Sequence, residues 1–430
     1  KFRRRLYMPV TMEMVQAVFY TSSSDKTWSM KAYDINTGSR IFEYCGDKGT
    51  EGSHMLSVAN GCLLEAQKGR AKINVWPLNK YNYDTNVRVF APGKIDGFAA
   101  QKSQKVLAYS VKGTVYFYQT ESGQVYKLSK CHYLTVDVIK FSYDECFVAC
   151  GGEDGIVSLW NLGEILRPVE NKQPLHMFAH HLLPVTDIAF TALAHNLRLV
   201  TVSLDRTAKV YDVATGTNLL SVFLGSNPKC VALPTTDISI FIGQANGTIT
   251  EMKYSRVPEM RECHHTDIVE PSDFYVGHSE AVTSIALTSD NMHLVSGSSD
   301  GTVRIWDTVT HHCLHIINDK GPINSILVEN LPKNVFRYNF KPIYHFHPIT
   351  YNDDSNETLI EVTTHSECLN LFGDSFNQIC QEVAKENDVT AEDLIKDINK
   401  DLYDFSLHRI TNQTISKKNK DSERVRFLKF

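Results

Sequence analysis

No stretch of this 430-residue chain runs for about eighteen apolar residues, so no segment reads as a membrane-spanning helix. The start is basic, with Arg3, Arg4 and Arg5. Its apolar part is short and is broken by Pro9 and Glu13, which argues against a secretory leader. The first residue is Lys1 and not methionine; we read a fragment or a variant start, with Met8 as a candidate initiator. The ten cysteines are scattered and form no CxxC pair, which argues against a disulfide framework or a zinc ribbon. Cys146 and Cys150 lie in the strand-like run FSYDECFVAC and read as small core residues in a reducing compartment. The net charge of −5 does not suggest binding of nucleic acid or anionic lipid by the surface as a whole, so any such contact would have to come from a local patch.

Chemistry is also missing. There is no GxxxxGK[ST] loop, no strand-linked GxGxxG, no GxSxG elbow and no paired-carboxylate signature. The run GGEDG, Gly151 to Gly155, reads as a turn between strands. Cys263-His264-His265 falls in an insertion, Lys253 to Val276, that reads as an exposed loop and not as a metal site. We expect no cofactor, no metal and no enzymatic activity.

What is present is a repeat. Its clearest copy runs from Gly277 to Asp319. Gly277-His278 opens it, Val282 to Leu287 alternates as a first strand, and Leu294 to Ser298 is a second. The turn Ser299-Asp300-Gly301 leads to Thr302–Trp306, and Cys313 to Ile317 makes a fourth strand. Four short strands with tight turns, repeated, predict an all-β propeller of WD-repeat type. His278, Ser296 (or Ser298), Asp300 and Trp306 are placed to form a buried hydrogen-bonded chain within one blade. Losing one partner of such a chain costs about 1–3 kcal/mol.

The frame recurs with His181, Asp205 and Tyr211, and with His132, Asp154 and Trp160. Tyr33-Asp34 followed by Thr37-Gly38 marks a first unit; Trp76-Pro77, Gly113 to Tyr118 and Gly243 to Glu251 mark degenerate ones. The count is seven. The first unit shows only three strands, and Ile323 to Val328 after the seventh reads as the missing one, closing the ring and removing open edges.

Five regions follow: a basic extension over 1–11, the seven-bladed propeller over 12–330, a linker or arm over 331–365, a helical assembly element over 366–410 and a basic tail over 411–430. The arm carries Phe336, Tyr338, Phe340, Tyr344 and Phe346 and is expected to pack on the ring or on a partner. In the helical tail Phe372, Phe376, Ile379 and Val383, joined by Leu369, fall on one stripe. Leu394, Ile398, Leu402 and Phe405 form a second. These stripes are the candidate partner-binding residues. The basic tail reads as a nuclear address, an RNA contact or a solvated end.

The strings AHHLLPVTDIAF, VTVSLDRTAKVYDVATGTNLLSVFL and KGPINSILVE, with INKDLYDFSLHRI in the tail, resemble the WD repeat-containing protein 18 family. Its members are the propeller subunits of Rix-type complexes. The resemblance covers about Met12 to Ile410. It implies a non-catalytic scaffold in the nucleus, nucleolus and nucleoplasm that serves maturation of the large ribosomal subunit and removal of an rRNA spacer. It further implies as partners a helical-repeat scaffold subunit, a HEAT-like subunit, the AAA ATPase midasin and pre-60S particles. Self-pairing through the tail helix, and roles in replication licensing or chromatin silencing, belong to the same implication. The alternatives are a peptide-reading propeller, such as a ubiquitin-ligase substrate receptor or histone-tail reader, and an enzyme built on a propeller.

Overall fold

Short runs of β-branched and aromatic residues, punctuated by turns such as Asp154-Gly155, Asn246-Gly247 and Asp300-Gly301, set the architecture. A computed structural model describes residues 14–336, apart from 25–26, 49–53, 60–61, 85–88, 104, 129–130, 168–171, 193–196, 237, 255–261, 265, 267–268 and 271–272. It is a seven-bladed β-propeller. In five blades four successive strands pair antiparallel in sequence order; blade six does the same except that a short strand belonging to blade five intervenes before its fourth. The first strands of the seven blades meet one another around the ring and line a central channel. They are Ile323–Pro332, His54–Ala59, Phe98–Ala100, Val136–Phe141, Val185–Phe190, Pro228–Ala232 and Val282–Leu287.

Blade one is built from both ends of the propeller. Its sheet runs in the order Ile323–Pro332, Met14–Ser24, Thr27–Asp34, Arg40–Lys48. The closing strand that the sequence implied is therefore present, and it extends four residues further, to Pro332. Its pairing with Met14–Ser24 continues from Met14↔Pro332 to Ser22↔Ile323.

This junction has its own polar lock. Asp319, in the loop before the closing strand, accepts from the Lys31 Nζ at 2.8 and 2.9 Å and from the Ser22 hydroxyl at 2.9 Å. The pair is nearly buried. Burial alone would disfavour the Asp319 carboxylate, but the bonds from Lys31 and from the Lys320 N–H outweigh it and hold its carboxyl below the usual range.

Three expectations change. Cys146, read as a core residue, is exposed at the turn before its strand, and only Cys150 of that pair is buried. The first strand of blade seven does not alternate strictly: a register shift between Val282 and Ser284 puts Val282 and Ile285 inside, three apart. The same shift falls at the start of the first strands of blades four, five and six. A β-bulge there bends each strand as it enters the channel wall. The insertion after Lys253 is not simply an exposed loop between blades. Phe274–Val276 is the outer strand of blade six, while Glu262–His264 adds a parallel fifth strand to blade five with Cys263 buried. The expectations for the extension 1–11, for the arm beyond Phe336, and for the segments 366–410 and 411–430 concern residues outside the described ones.

Asp319→Ala strands the Lys31 ammonium at the ring closure. We expect a loss of roughly 2–3 kcal/mol in denaturant unfolding, less than for a fully buried pair because Lys31 keeps a route to water. Because the folded carboxyl titrates below its unfolded value of about 3.9, this stabilisation is complete above that pH and is lost as pH falls through the folded value. The variant therefore loses less stability than the parent on acidification from pH 5 to pH 3.

Candidate functional site

Each blade places a loop before its first strand and a turn between its second and third strands on one face of the ring. In blade seven the His278 Nδ1–H reaches Asp300 at 3.1 Å, and its Nε2 accepts from the Ser296 hydroxyl at 2.8 Å. The Trp306 indole N–H donates to the same hydroxyl at 2.8 Å. The strand hydroxyl is thus Ser296. Ser298 instead donates to the Glu280 carbonyl and accepts from the Asp300 N–H. Burial pushes the His278 ring below its ordinary value, against the opposing pull of Asp300, so it is neutral at pH 7. Asp300 is held down to about 2: burial opposes this, but bonds from Thr302 and the Ser279 N–H win.

Blade four assembles the chain differently. His132 bonds Asp154 at 3.1 Å and Ser158 at 2.9 Å, and Trp160 donates to Ser158 at 3.0 Å. Ser158 lies on the third strand, directly opposite Cys150, which holds the place that Ser296 has in blade seven. The hydroxyl has crossed to the neighbouring strand, and the same three bonds form. In blade five His181 bonds Asp205 at 3.0 Å, Thr201 at 2.8 Å and Thr207 at 3.1 Å. Tyr211 acts there mainly by its ring, stacked 4.2 Å from Phe178. Burial pushes its phenol up.

The carboxylates do more than hold histidine. Asp154 accepts the backbone N–H of Tyr133 at 3.2 Å, and Asp205 accepts that of Leu182 at 3.1 Å. Gly155, in the same turn as Asp154, has φ +75°, and a Cβ there would come within 2.6 Å of the His181 carbonyl oxygen. This contact brings the Tyr133 loop of blade four beside the Leu182 loop of blade five.

These two fixed loops display apolar side chains. Tyr133 is 92% exposed and Leu182 is 90% exposed, with Leu134 and Leu183 beside them also open to solvent. The matching positions in blade seven are Ser279 and Glu280. The fold therefore has no need of apolar residues at these sites, which makes the four a candidate interaction surface. The four residues directly follow the blade histidines in the sequence. The contrast of Tyr-Leu and Leu-Leu with Ser-Glu at one repeat position was the signal available.

The channel holds a cavity of about 330 Å³ walled by Leu56, Phe98, Ile139, Phe141 and Leu327, with the Lys102–Glu329 pair, 3.4 Å apart, at its rim. Among the described residues no group of three or more His, Cys, Asp or Glu side chains is placed to hold a metal ion. His264 packs against Phe223 with ring centroids 5.4 Å apart. The two tail stripes, Phe372 to Val383 and Leu394 to Phe405, lie outside the described residues.

Comparison with known proteins agrees with this architecture. The profile of the WD domain, G-beta repeat, matches residues 123–161, 172–212 and 270–307. WD repeat-containing protein 18 of Danio rerio is 26% identical, over 92% of this chain and 98% of that protein. The pre-rRNA-processing protein IPI3 of Candida albicans is 25% identical, over 52% of this chain and 50% of that protein. Among solved structures, the computationally designed Ika8 protein superposes with a TM-score of 0.52 at 20% identity, covering 74% of this chain and 94% of that one, a likeness of fold alone.

Asp300→Ala removes the acceptor of His278 and of the Ser279 N–H. We expect blade seven to lose about 1–3 kcal/mol, read as a lower melting midpoint. An unchanged midpoint contradicts the bonding described. Because the folded His278 ring resists protonation, the unfolded chain takes up the proton first as pH falls below about 6.5. His278→Gln should therefore flatten the decline in stability between pH 7 and pH 5.

Proposed function

We propose that this chain, a seven-bladed WD-repeat propeller that resembles WD repeat-containing protein 18 along most of its length, is a non-catalytic scaffold subunit in pre-rRNA processing. Its assembly serves maturation of the large ribosomal subunit and rRNA spacer removal, in the nucleus, nucleolus and nucleoplasm. The observation that carries the reading is the exposed apolar set Tyr133, Leu134, Leu182 and Leu183, on loops whose Tyr133 and Leu182 N–H groups are bound by Asp154 and Asp205. A scaffold needs this kind of surface: pre-organised, apolar and free of reactive groups. The name of the Candida albicans relative, a pre-rRNA-processing protein, supports the process.

The partners in this reading are a helical-repeat scaffold subunit and a HEAT-like subunit, with midasin and pre-60S particles reached through the assembled complex. The tail stripes of Phe372, Phe376, Ile379 and Val383, and of Leu394, Ile398, Leu402 and Phe405, serve as a second assembly element by helix–helix contact, self-pairing included. RNA contact through the basic tail, and any work in replication licensing or chromatin silencing, are secondary to this role.

The test is purification of the tagged protein from nuclei with identification of what accompanies it. We expect Tyr133→Asp/Leu182→Asp to lose the helical-repeat partner while its stability stays within about 0.5 kcal/mol of the parent, as for surface substitutions. Ile398→Asp/Leu402→Asp should lose assembly through the tail and leave the ring folded. Recovery of a ubiquitin-ligase core or of histones, in place of pre-60S particles, would overturn the proposal.

A further inference from the structure

The outer strands of the blades differ in what guards their edges. Four of them are four residues or longer: Arg40–Lys48 in blade one, Val125–Leu128 in blade three, Asn218–Phe223 in blade five and Cys313–Asn318 in blade seven. Those of blades two, four and six have two or three residues. A long uncharged edge is a template for another strand, and proteins usually block it with charge, a bulge or a covering segment.

Blades five and seven correspond residue for residue here. In each, a register shift leaves one leucine without a partner on the third strand, Leu219 in blade five and Leu314 in blade seven. After it, Ser221, Val222 and Phe223 hold the places of Ile316, Ile317 and Asn318. In blade five this edge is taken. Glu262–His264 pairs with Ser221, Val222 and Phe223 in parallel, with Cys263 buried opposite Val222 and the His264 ring 5.4 Å from Phe223. In blade seven no strand lies beside Ile316, Ile317 and Asn318 among the described residues.

Charge does not guard that edge either. At the place of Ile316, blade one has Glu43, bonded to Arg40, and blade three has Lys127. Cys313–Asn318 contains no Asp, Glu, Lys or Arg. Ile316 is 52% exposed, Leu314 is exposed too, and Ile317 is buried in the core shared with blade one.

We propose that the outer strand of blade seven receives a short extended segment of a partner protein as a fifth strand along Ile316, Ile317 and Asn318. Main-chain bonds supply affinity, and side chains at alternate positions supply selectivity. The residue beside Ile317 is small and apolar, as Cys263 is beside Val222. The residue beside Ile316 is apolar or β-branched, and proline is absent from the pairing positions. A second copy of this chain does not suit the edge: two blades meeting through six-residue strands bury well under the roughly 1,200 Å² of a stable interface. The edge belongs to blade seven and not to the loops of Tyr133 and Leu182, so the inference stands apart from the reading of that face.

The test screens the full chain against a phage-displayed library of short random peptides and measures the enriched peptides by fluorescence anisotropy. The fold accepts charge at this position in blades one and three, so Ile316→Lys and Ile316→Glu should keep the parent's melting midpoint. We expect enriched peptides of alternating β-branched residues that bind both variants roughly tenfold more weakly than the parent. They should bind Tyr133→Asp/Leu182→Asp as tightly as the parent, and N-methylation of alternate backbone amides should abolish binding. Three results would overturn the proposal: no peptide that distinguishes the parent from the Ile316 variants, binding indifferent to N-methylation, or a parent dimer in sedimentation that Ile316→Lys dissociates.

Discussion

The antiparallel pairing of Met14–Ser24 with Ile323–Pro332 decides whether these seven sheets form a ring or an arc with two open edges. Each blade remains a separate sheet whose inner strand keeps one edge toward the channel, and closure encloses those short edges within the ring. The pairing joins residues some three hundred positions apart, so its formation is entropically costly and needs more than backbone bonds. The Lys31–Asp319–Ser22 lock supplies polar specificity where the strands meet. Val18, Tyr20, Ile323 and Ile326 supply apolar burial with blade seven. Once the ring is closed, every first strand is flanked by two others, and the loops on the faces are held at fixed spacing.

On that frame the buried carboxylates act at a second level. Asp154 and Asp205 each hold a histidine on one side and a loop N–H on the other. A network usually read as a device for stability therefore also fixes the display of Tyr133 and Leu182. This joins blade architecture to the proposed scaffold role: rigid loops pay less conformational entropy on binding, and apolar side chains at their tips supply the driving force. Gly155 completes the arrangement, since only a residue without Cβ allows one blade's turn to sit against the next blade's loop carbonyls.

Much of this was legible from residue patterns. Blade seven declares its four strands and its His278–Asp300–Trp306 frame, because local turn chemistry and strand periodicity are written within about forty residues. The closing strand was legible by counting, since three strands at one end and one at the other imply a shared sheet. Features that depend on pairing across distance were not. The transfer of the hydroxyl from the second strand to Ser158 requires knowing that Cys150 and Ser158 face each other. The Lys31–Asp319 lock requires closure first. The bulge at Val282 is hidden because Val-Thr-Ser-Ile-Ala-Leu reads equally well as an alternating strand. The fifth strand at Glu262–His264 is three residues long, too short for any periodicity. Exposure of Tyr133 and Leu182 is invisible in a chain where apolar residues are by default assigned to a core.

The central claim is that the loops bearing Tyr133 and Leu182 are rigid because buried carboxylates hold their backbone. Amide hydrogen exchange of the full chain measures this directly. The account predicts that the Tyr133 and Leu182 amides exchange nearly as slowly as those of the adjoining first strands, despite side chains open to water, and that Asp154→Ala releases Tyr133 while leaving Leu182 protected. Rapid exchange of both amides in the parent chain would contradict it, since the face would then be a mobile surface and not a pre-formed one.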